Sequence, residues 1–200
     1  GPDTTVCPDC LAEMFDPDSR RWRYALTNCG HCGPRYTICS GLPFDRARTS
    51  LKPFNMCKKC EAEFLRAHDR RLHAEGNCCP KCGPQLFLLD GDGQSVAGDA
   101  IASTLALLKA GKIVAIKGAG GFHLFGNARH PGAVAALRKA KHRQFKPFAV
   151  MFASAQSAIP YVQFRVGEPG LLNLPERPII LLNKRKNCDD KLPGIAPDLP

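Results

Sequence analysis

The sequence lacks an apolar run near the roughly 20 residues that a membrane-spanning helix needs, which excludes a transmembrane protein. It also lacks a secretory signal peptide, and its 11 cysteines are an odd number. We therefore expect a reducing, cytoplasmic compartment and no disulfide framework. Residues 1–88 have few aliphatic side chains, too few for the core of a small domain, so another source of stability such as a metal is needed. Gly1-Pro2, with no methionine, is typical of a cleaved tag or an excised segment.

Eight of the cysteines form four Cys-x-x-Cys pairs, with 18, 24 and 18 residues between successive pairs. The pairs are Cys7/Cys10, Cys29/Cys32, Cys57/Cys60 and Cys79/Cys82. A shift of 50 residues superposes the first two pairs on the last two. The same shift superposes Glu13 on Glu63, Arg20-Arg21 on Arg70-Arg71, and Gly33-Pro34 on Gly83-Pro84. The chain therefore contains an internal repeat of two units.

The spacing of the cysteines is typical of tetrahedral zinc sites, because two Cys-x-x-Cys turns 15–20 residues apart place four thiolates around one ion. We predict two structural zinc ions, one bound by Cys7, Cys10, Cys29 and Cys32, the other by Cys57, Cys60, Cys79 and Cys82. Four protein ligands leave no open position for water, so catalytic zinc is not expected. Redox Cys-x-x-Cys motifs do not occur as two matched quartets. Cys39, Cys78 and Cys188 stay outside the quartets, and His31 and His73 are expected to pack or face solvent.

Local patterns predict one or two helical turns after Cys10 and after Cys60, and a positive φ at the glycines that follow the last ligands, Gly33 and Gly83. Beyond the turn-rich segment Asp90–Gly93 the pattern changes to alternating helices and strands, which indicates an α/β fold. The predicted domains are a tandem zinc-finger domain over residues 1–88 and an α/β domain over residues 98–200.

The elements predicted for the second domain follow from caps and apolar runs. They are a helix capped by Asp99 and stopped by Gly111, a buried strand over residues 113–116, a helix from Pro131 to Lys139, and strands over Phe148–Phe152 and Ile179–Leu182.

The formal net charge is +10, and about +6 if each zinc cluster carries four thiolates, which suits phosphate-bearing ligands or nucleic acid. One candidate anion site is the glycine loop between Lys117 and His123, which matches neither a dinucleotide fingerprint nor a P-loop and is also typical of a plain strand-ending turn. The other is the basic segment of residues 138–147. There Arg143 is suited to bidentate phosphate contacts and Lys141 and Lys146 to point-charge contacts, with a solvated helix end as the alternative. We expect this segment to lie at a sheet edge.

The quartet spacing, with -NCGHCGPRYTI-, -LPFDRARTS-, -DRRLHAE- and -CPKCGP-, resembles the zinc-finger region of the HypF family. These are the carbamoyltransferases of nickel–iron hydrogenase maturation. The stretches -GKIVAIKGAGGFHL-, -LRKAKHRQFKPFAVM- and -RPIILL- are similar to the start of that family's YrdC-like domain. Lys141-x-Arg143, with Lys146, falls on the Lys-x-Arg nucleotide and phosphate signature of YrdC-like domains. The resemblance covers essentially the whole chain.

The resemblance implies a multi-step, ATP-binding transferase. An acylphosphatase domain hydrolyses carbamoyl phosphate, and the YrdC-like domain adenylates the carbamate with ATP and Mg²⁺. A further domain then passes the carbamoyl group to the terminal cysteine of a HypE-type acceptor. The acylphosphatase domain, the transferase domain and the late Ser/Thr-x-Asn motif do not occur in this sequence. We therefore expect an incomplete YrdC-like domain that is not fully active alone.

The alternative function is a zinc-containing RNA-binding or tRNA-modifying protein of the threonylcarbamoyl-adenylate type. Basic charge and zinc ribbons fit it, but the knuckles lack the interleaved aromatic and basic residues of a stacking platform. A third hypothesis gives the zinc unit a purely scaffolding role, and it is compatible with either function.

Overall fold

The computed structural model describes residues 2–199 and divides into two compact units, Gly1–Gln85 and Leu86–Pro200. Gly1, the predicted start of the first domain, and Pro200, the predicted end of the second, lie outside the described residues. The Asp90–Gly93 segment forms a hairpin turn inside the second unit, in which the Asp90 amide donates to the Gln94 carbonyl at 2.9 Å. Between residues 2 and 199, each helix is too short or too polar to cross a membrane.

The first unit contains two eight-residue helices, α1 (Pro8–Phe15) and α2 (Lys58–Leu65). Each begins directly after the first cysteine of its repeat, and the Cys7 and Cys57 carbonyls accept the first helical hydrogen bonds at 2.9 Å. The predicted helical turns are confirmed. Two short 3₁₀ turns, Tyr36–Ile38 and Arg46–Arg48, lie between the repeats.

The two repeats share their backbone conformation as well as their sequence pattern. The Arg23 amide donates to the Met14 carbonyl at 2.8 Å, and 50 residues later the His73 amide donates to the Phe64 carbonyl at 3.0 Å. Arg23 and His73 both have a positive φ, 55° and 51°. The His73 ring packs edge-on against Phe64, as expected of a histidine that is not needed as a ligand.

The second unit alternates short strands with helices. Its elements are β1 (Leu88–Leu89), β2 (Ser95–Val96), α3 (Ala100–Lys109), β3 (Val114–Gly118), β4 (Gly121–Phe125), α4 (Pro131–Ala140), α5 (Ala155–Ala158), β5 (Val162–Gln163), α6 (Glu168–Leu172), β6 (Asn183–Lys184) and α7 (Cys188–Lys191). The strands pair antiparallel as β1–β2, β3–β4 and β5–β6.

The predicted helices of the second unit are confirmed. The Asp99 carboxylate accepts from the Ala102 amide at 2.8 Å and caps α3, and Gly111 follows that helix with a φ of +76°. Helix α4 starts at Pro131, where the His130 ring nitrogen Nδ1 accepts from the Ala133 amide at 3.1 Å.

Three strand predictions need correction. Residues 148–152 and 179–182 are irregular, because an apolar run becomes a strand only where a neighbouring backbone pairs along its length. The Phe148 amide instead donates to the Ile195 carbonyl at 3.0 Å. Strand β3 forms close to its predicted place, but Val114 is its one buried residue, so it is not a buried strand.

Candidate functional site

The eight paired cysteines converge in two groups. In each group the Sγ atoms lie within 4.8 Å of one another. The first group is Cys7, Cys10, Cys29 and Cys32, and the second is Cys57, Cys60, Cys79 and Cys82. All of these cysteines are free thiols, so no disulfide competes with metal binding.

The spacing of the sulfur atoms fits tetrahedral zinc. In the first group, Cys29 Sγ lies 3.8 Å from Cys7 Sγ and 3.7 Å from Cys32 Sγ. In the second, Cys82 Sγ lies 3.7 Å from Cys79 Sγ and 3.6 Å from Cys60 Sγ. A tetrahedron with zinc–sulfur bonds of ~2.3 Å has edges of ~3.8 Å, whereas sulfurs in a disulfide are ~2.05 Å apart. The residues present therefore fit one zinc ion in each group.

The glycines after the last ligands are required for different reasons. Gly33 has a φ of +91°, as predicted for a knuckle loop. Gly83 has no positive φ, so that part of the prediction is wrong. A Cβ on Gly83 would lie 2.2 Å from the Tyr24 hydroxyl and 2.7 Å from the Cys78 Cβ, so glycine is needed here for space.

The arginines of the first repeat reach the cysteines of the second. Arg20 donates from both terminal nitrogens to Cys60 Sγ, at 3.3 and 3.4 Å, and pairs with the Glu63 carboxylate at 2.6 Å. Arg21 is fully buried and donates to Glu63 at 2.6 Å and to the Asn77 side-chain oxygen at 2.8 Å. Burial acts to raise the pKa of Glu63, but the hydrogen bonds from both arginines lower it to about 2.

The second repeat makes the reciprocal contacts. Arg70 donates to Cys10 Sγ at 3.3 Å, and both Arg70 and Arg71 form short ion pairs with the Glu13 carboxylate. Arg71, which is also buried, donates from Nε to the Asn28 carbonyl at 3.0 Å. We call Arg20-Arg21 and Arg70-Arg71 the crossed arginine pairs. Sequence reasoning found the repeated residues but not the crossing, because a repeat alignment does not reveal whether contacts lie within a unit or between units.

The remaining cysteines lie outside the two groups, as expected. Cys78 is buried beside the Tyr24 hydroxyl, 3.5 Å from its Sγ, and burial raises the pKa of this thiol. Cys188 packs in a small apolar cluster with Tyr161 and Leu192. Cys39 donates to the Gly41 carbonyl at 3.1 Å.

The basic segment is organised around Phe148. The Arg138 and Arg143 guanidinium carbons lie 4.5 and 5.2 Å from the centre of its ring. Arg138 also donates to five backbone carbonyls, those of Arg143, Gln144, Lys146, Gly194 and Ile195. The segment is therefore a loop held by the hydrogen bonds of Arg138, and the prediction that it lies at the edge of a sheet is wrong.

The three predicted anion-binding residues of this loop differ in their surroundings. Lys141 caps the end of α4 and is exposed, and Lys146 is exposed too. Arg143 is half-buried and donates to the Lys146 and Pro147 carbonyls at 3.3 and 2.5 Å, so much of its donor capacity is used to hold the loop.

The other predicted pair, Lys117 and His123, is separated by the pleat of the β3–β4 hairpin. Lys117 is paired across the hairpin with Phe122, and His123 with Ile116. Because neighbouring residues of a strand point to opposite faces, Lys117 and His123 lie on opposite faces. The Lys117 ammonium lies 5.7 Å from the centre of the Phe122 ring.

The fold and the cysteine groups define a tandem zinc-finger region followed by a YrdC-like unit. Residues 6–39 and 56–89 match the family described as HypF finger, and residues 106–198 match the Sua5, YciO and YrdC family, described as telomere recombination. In both regions, and over nearly its full length, the chain matches a segment of HypF proteins.

Known relatives and solved structures align with nearly the whole chain. It is 53% identical over 200 residues to carbamoyltransferase HypF2 of Cupriavidus necator and covers 25% of that protein. The crystal structure of full-length HypF in its phosphate- and nucleotide-bound form has a TM-score of 0.89 and 47% identity, with 99% of this chain and 26% of that one covered. HypF of T. kodakarensis has a TM-score of 0.93 and 41% identity, with 98% and 26% covered. The chain thus spans about a quarter of the length of these proteins.

Proposed function

We propose that this chain is the zinc-finger region and the start of the YrdC-like domain of a carbamoyltransferase. The observation that carries the proposal is the 53% identity to a carbamoyltransferase over all 200 residues, with both regions in the same order. The whole protein would use carbamoyl phosphate and ATP with Mg²⁺ to form a carbamoyl-adenylate. It would then pass the carbamoyl group to the C-terminal cysteine of a HypE-type acceptor.

The two cysteine groups would hold structural zinc ions. When bound, each ion supplies a charged cross-link between the two knuckles of its repeat. Cys7, Cys10, Cys29 and Cys32 would hold one ion, and Cys57, Cys60, Cys79 and Cys82 the other. Four thiolates leave no position for substrate, so this region would contribute scaffold and no reacting group.

The nucleotide would be bound by the cationic loop of the second unit. Lys141 and Lys146 are exposed and offer free ammonium groups to phosphate oxygens, while Arg143 shapes the loop between them. Support for a phosphate ligand comes from the solved relative, which was crystallised with phosphate and nucleotide. Lys117 and His123 belong to separate faces, so at most one of them would join this site directly.

The test is carbamoyl-phosphate-dependent exchange of pyrophosphate into ATP by the full-length protein. Lys141→Ala should reduce exchange by at least about tenfold, because a charge-assisted phosphate contact contributes roughly 1.5–3 kcal/mol. Lys139→Ala is the matched control, since it removes one positive charge from the same segment outside the Lys-x-Arg pair. Unchanged exchange in Lys141→Ala, or equal losses in both variants, would contradict the assignment.

Arg143 needs a separate variant because it also holds the loop. Arg143→Lys keeps the charge but loses the forked geometry that bonds two carbonyls. Exchange should fall while the overall circular dichroism spectrum is kept. Full exchange in Arg143→Lys would mean that neither the fork nor the loop shape matters for the reaction.

The competing function, RNA binding or tRNA modification, is supported by the net charge of +10 and by the match to the Sua5, YciO and YrdC family. It predicts a tRNA complex whose affinity falls steeply with salt. A tRNA gel shift at two salt concentrations, together with the exchange assay, separates the two functions. Tight tRNA binding without exchange would favour the competing one.

A further inference from the structure

The crossed arginine pairs connect the two metal centres in a way that the repeat pattern alone does not indicate. Arg20 bonds the sulfur of Cys60, and Arg70 bonds the sulfur of Cys10. The second arginine of each pair lies farther from the same sulfur, at 3.6 Å for Arg21 and 3.9 Å for Arg71. Among the described residues, the guanidinium groups that bond a cluster sulfur therefore come from the other repeat.

The charges make these contacts energetically important. Four thiolates around a divalent ion carry a net charge of about −2, and the two guanidiniums of the opposite repeat, with the one carboxylate between them, reduce it to about −1. Glu63 lies between Arg20 and Arg21, and Glu13 lies between Arg70 and Arg71 and also pairs with Arg21 of its own repeat at 3.0 Å. Arg21 is fully buried and Arg71 is 4% exposed, so loss of their partners would leave buried charges unpaired, which is strongly destabilising.

We propose that each metal centre is stabilised by the arginine pair of the other repeat, so that the two centres fill as one coupled unit. This inference rests on the metal occupancy proposed above. Emptying one centre removes its thiolate cluster as a partner of the opposite arginines, which keep only their glutamate and amide contacts, and so loosens the repeat that carries them. Each repeat therefore contributes four ligands to its own ion and two cations to the other.

Cadmium-113 NMR of the whole chain loaded with ¹¹³Cd²⁺ tests the crossing directly. Two resonances are expected, and each is assigned by a cysteine-to-serine change in one group. Arg20→Gln should shift or broaden the resonance of the second group, although Arg20 belongs to the first repeat. Arg70→Gln should affect the resonance of the first group. Arg66→Gln is the control, because its exposed guanidinium pairs weakly with Asp69 at 3.8 Å.

Zinc competition with a colorimetric chelator tests the coupling. A pair of serine substitutions at Cys7 and Cys32 disables the first centre without touching Cys10, which the crossed pair contacts. We expect zinc affinity at the second centre to fall by about 10- to 100-fold, as on loss of an outer-shell partner. Arg20→Gln should lower the affinity of that same centre, and Arg20→Lys should restore part of it.

The outcomes separate this proposal from the function proposed earlier. If each arginine change perturbs the resonance of its own repeat, or if the second centre keeps full affinity when the first is disabled, the coupling is disproved. Zinc content below two equivalents in the unmodified chain would instead refute the metal occupancy itself. Neither measurement depends on carbamoyl transfer.

Discussion

The two units of this chain are held together by different interactions. The first buries cysteine sulfurs and two arginine side chains, and it is connected by hydrogen bonds and ion pairs that cross between its repeats. The second has short strand pairs and, among the described residues, leaves more large apolar side chains exposed than the first, among them Met151 at 81% and Leu181 at 86%. Metal ligands and paired charges can therefore define a small unit that has little aliphatic core.

The largest expected difference between the units is their response to metal removal. Chelation with excess EDTA should unfold the first unit, because structural zinc contributes ~10–16 kcal/mol per site. The second unit has no cysteine group among its described residues, so its backbone amides should stay protected from hydrogen exchange. Hydrogen exchange followed by mass spectrometry on peptides from each unit measures both effects. Equal loss of hydrogen-exchange protection in the two units would show that the first unit does not depend on metal more than the second.

The next largest effect should come from the buried charge of the first unit. Arg21→Met leaves Glu63 and the second cysteine group without a fully buried cation, at a cost of ~3–5 kcal/mol. Arg48→Ala removes an exposed pair with Asp45, 3.5 Å apart, and should cost less than about 1 kcal/mol. Hydrogen-exchange protection of α1 and α2 measures the loss of stability in each of the two variants. Similar losses in the two variants would show that burial does not set the cost.

A smaller contrast is expected between glycines of the two units. Gly83→Ala forces a methyl group into contact with Tyr24 and Cys78, and over-packing of this kind costs ~1–3 kcal/mol. Gly91→Ala in the second unit meets nothing within 4 Å and should stay within about 0.5 kcal/mol. The midpoint of thermal unfolding of the zinc-loaded chain, measured for both variants, compares the two costs. A neutral Gly83→Ala would mean that the knuckle relaxes freely.

The smallest effect concerns a helix cap in the second unit. Asp99→Ala removes the side-chain acceptor for the Ala102 amide at the start of α3, with an expected cost of ~0.5–2 kcal/mol. Exchange rates of the first amides of α3 should rise, while those of α4 stay the same. A matching increase in α4 would point to a general loss of stability and not to a local cap.

Residues whose structure is set by local rules were predictable from the sequence. The cysteine spacing gave both quartets, Asp99 and Pro131 gave the starts of two helices, and the shift of 50 residues gave the repeat. These features depend on ligand spacing and capping, which act over a few residues.

Features that depend on distant partners were not predictable in this way. The segment of residues 148–152 has the composition of a strand, but its hydrogen-bond partners decide its structure. Lys117 and His123 are close in sequence, yet the hairpin register places them on opposite faces. The crossed arginine pairs were visible in the sequence as repeated residues. Which repeat each pair contacts is decided only by the folded structure.

The fit of the eight paired cysteines to two closed, four-thiolate zinc centres can be measured directly. The measurement is zinc K-edge X-ray absorption on the whole chain, combined with metal analysis. We expect two zinc ions per chain, each surrounded by four sulfur atoms at about 2.3 Å. Fewer than two ions per chain, or nitrogen or oxygen atoms in the coordination shell, would contradict it.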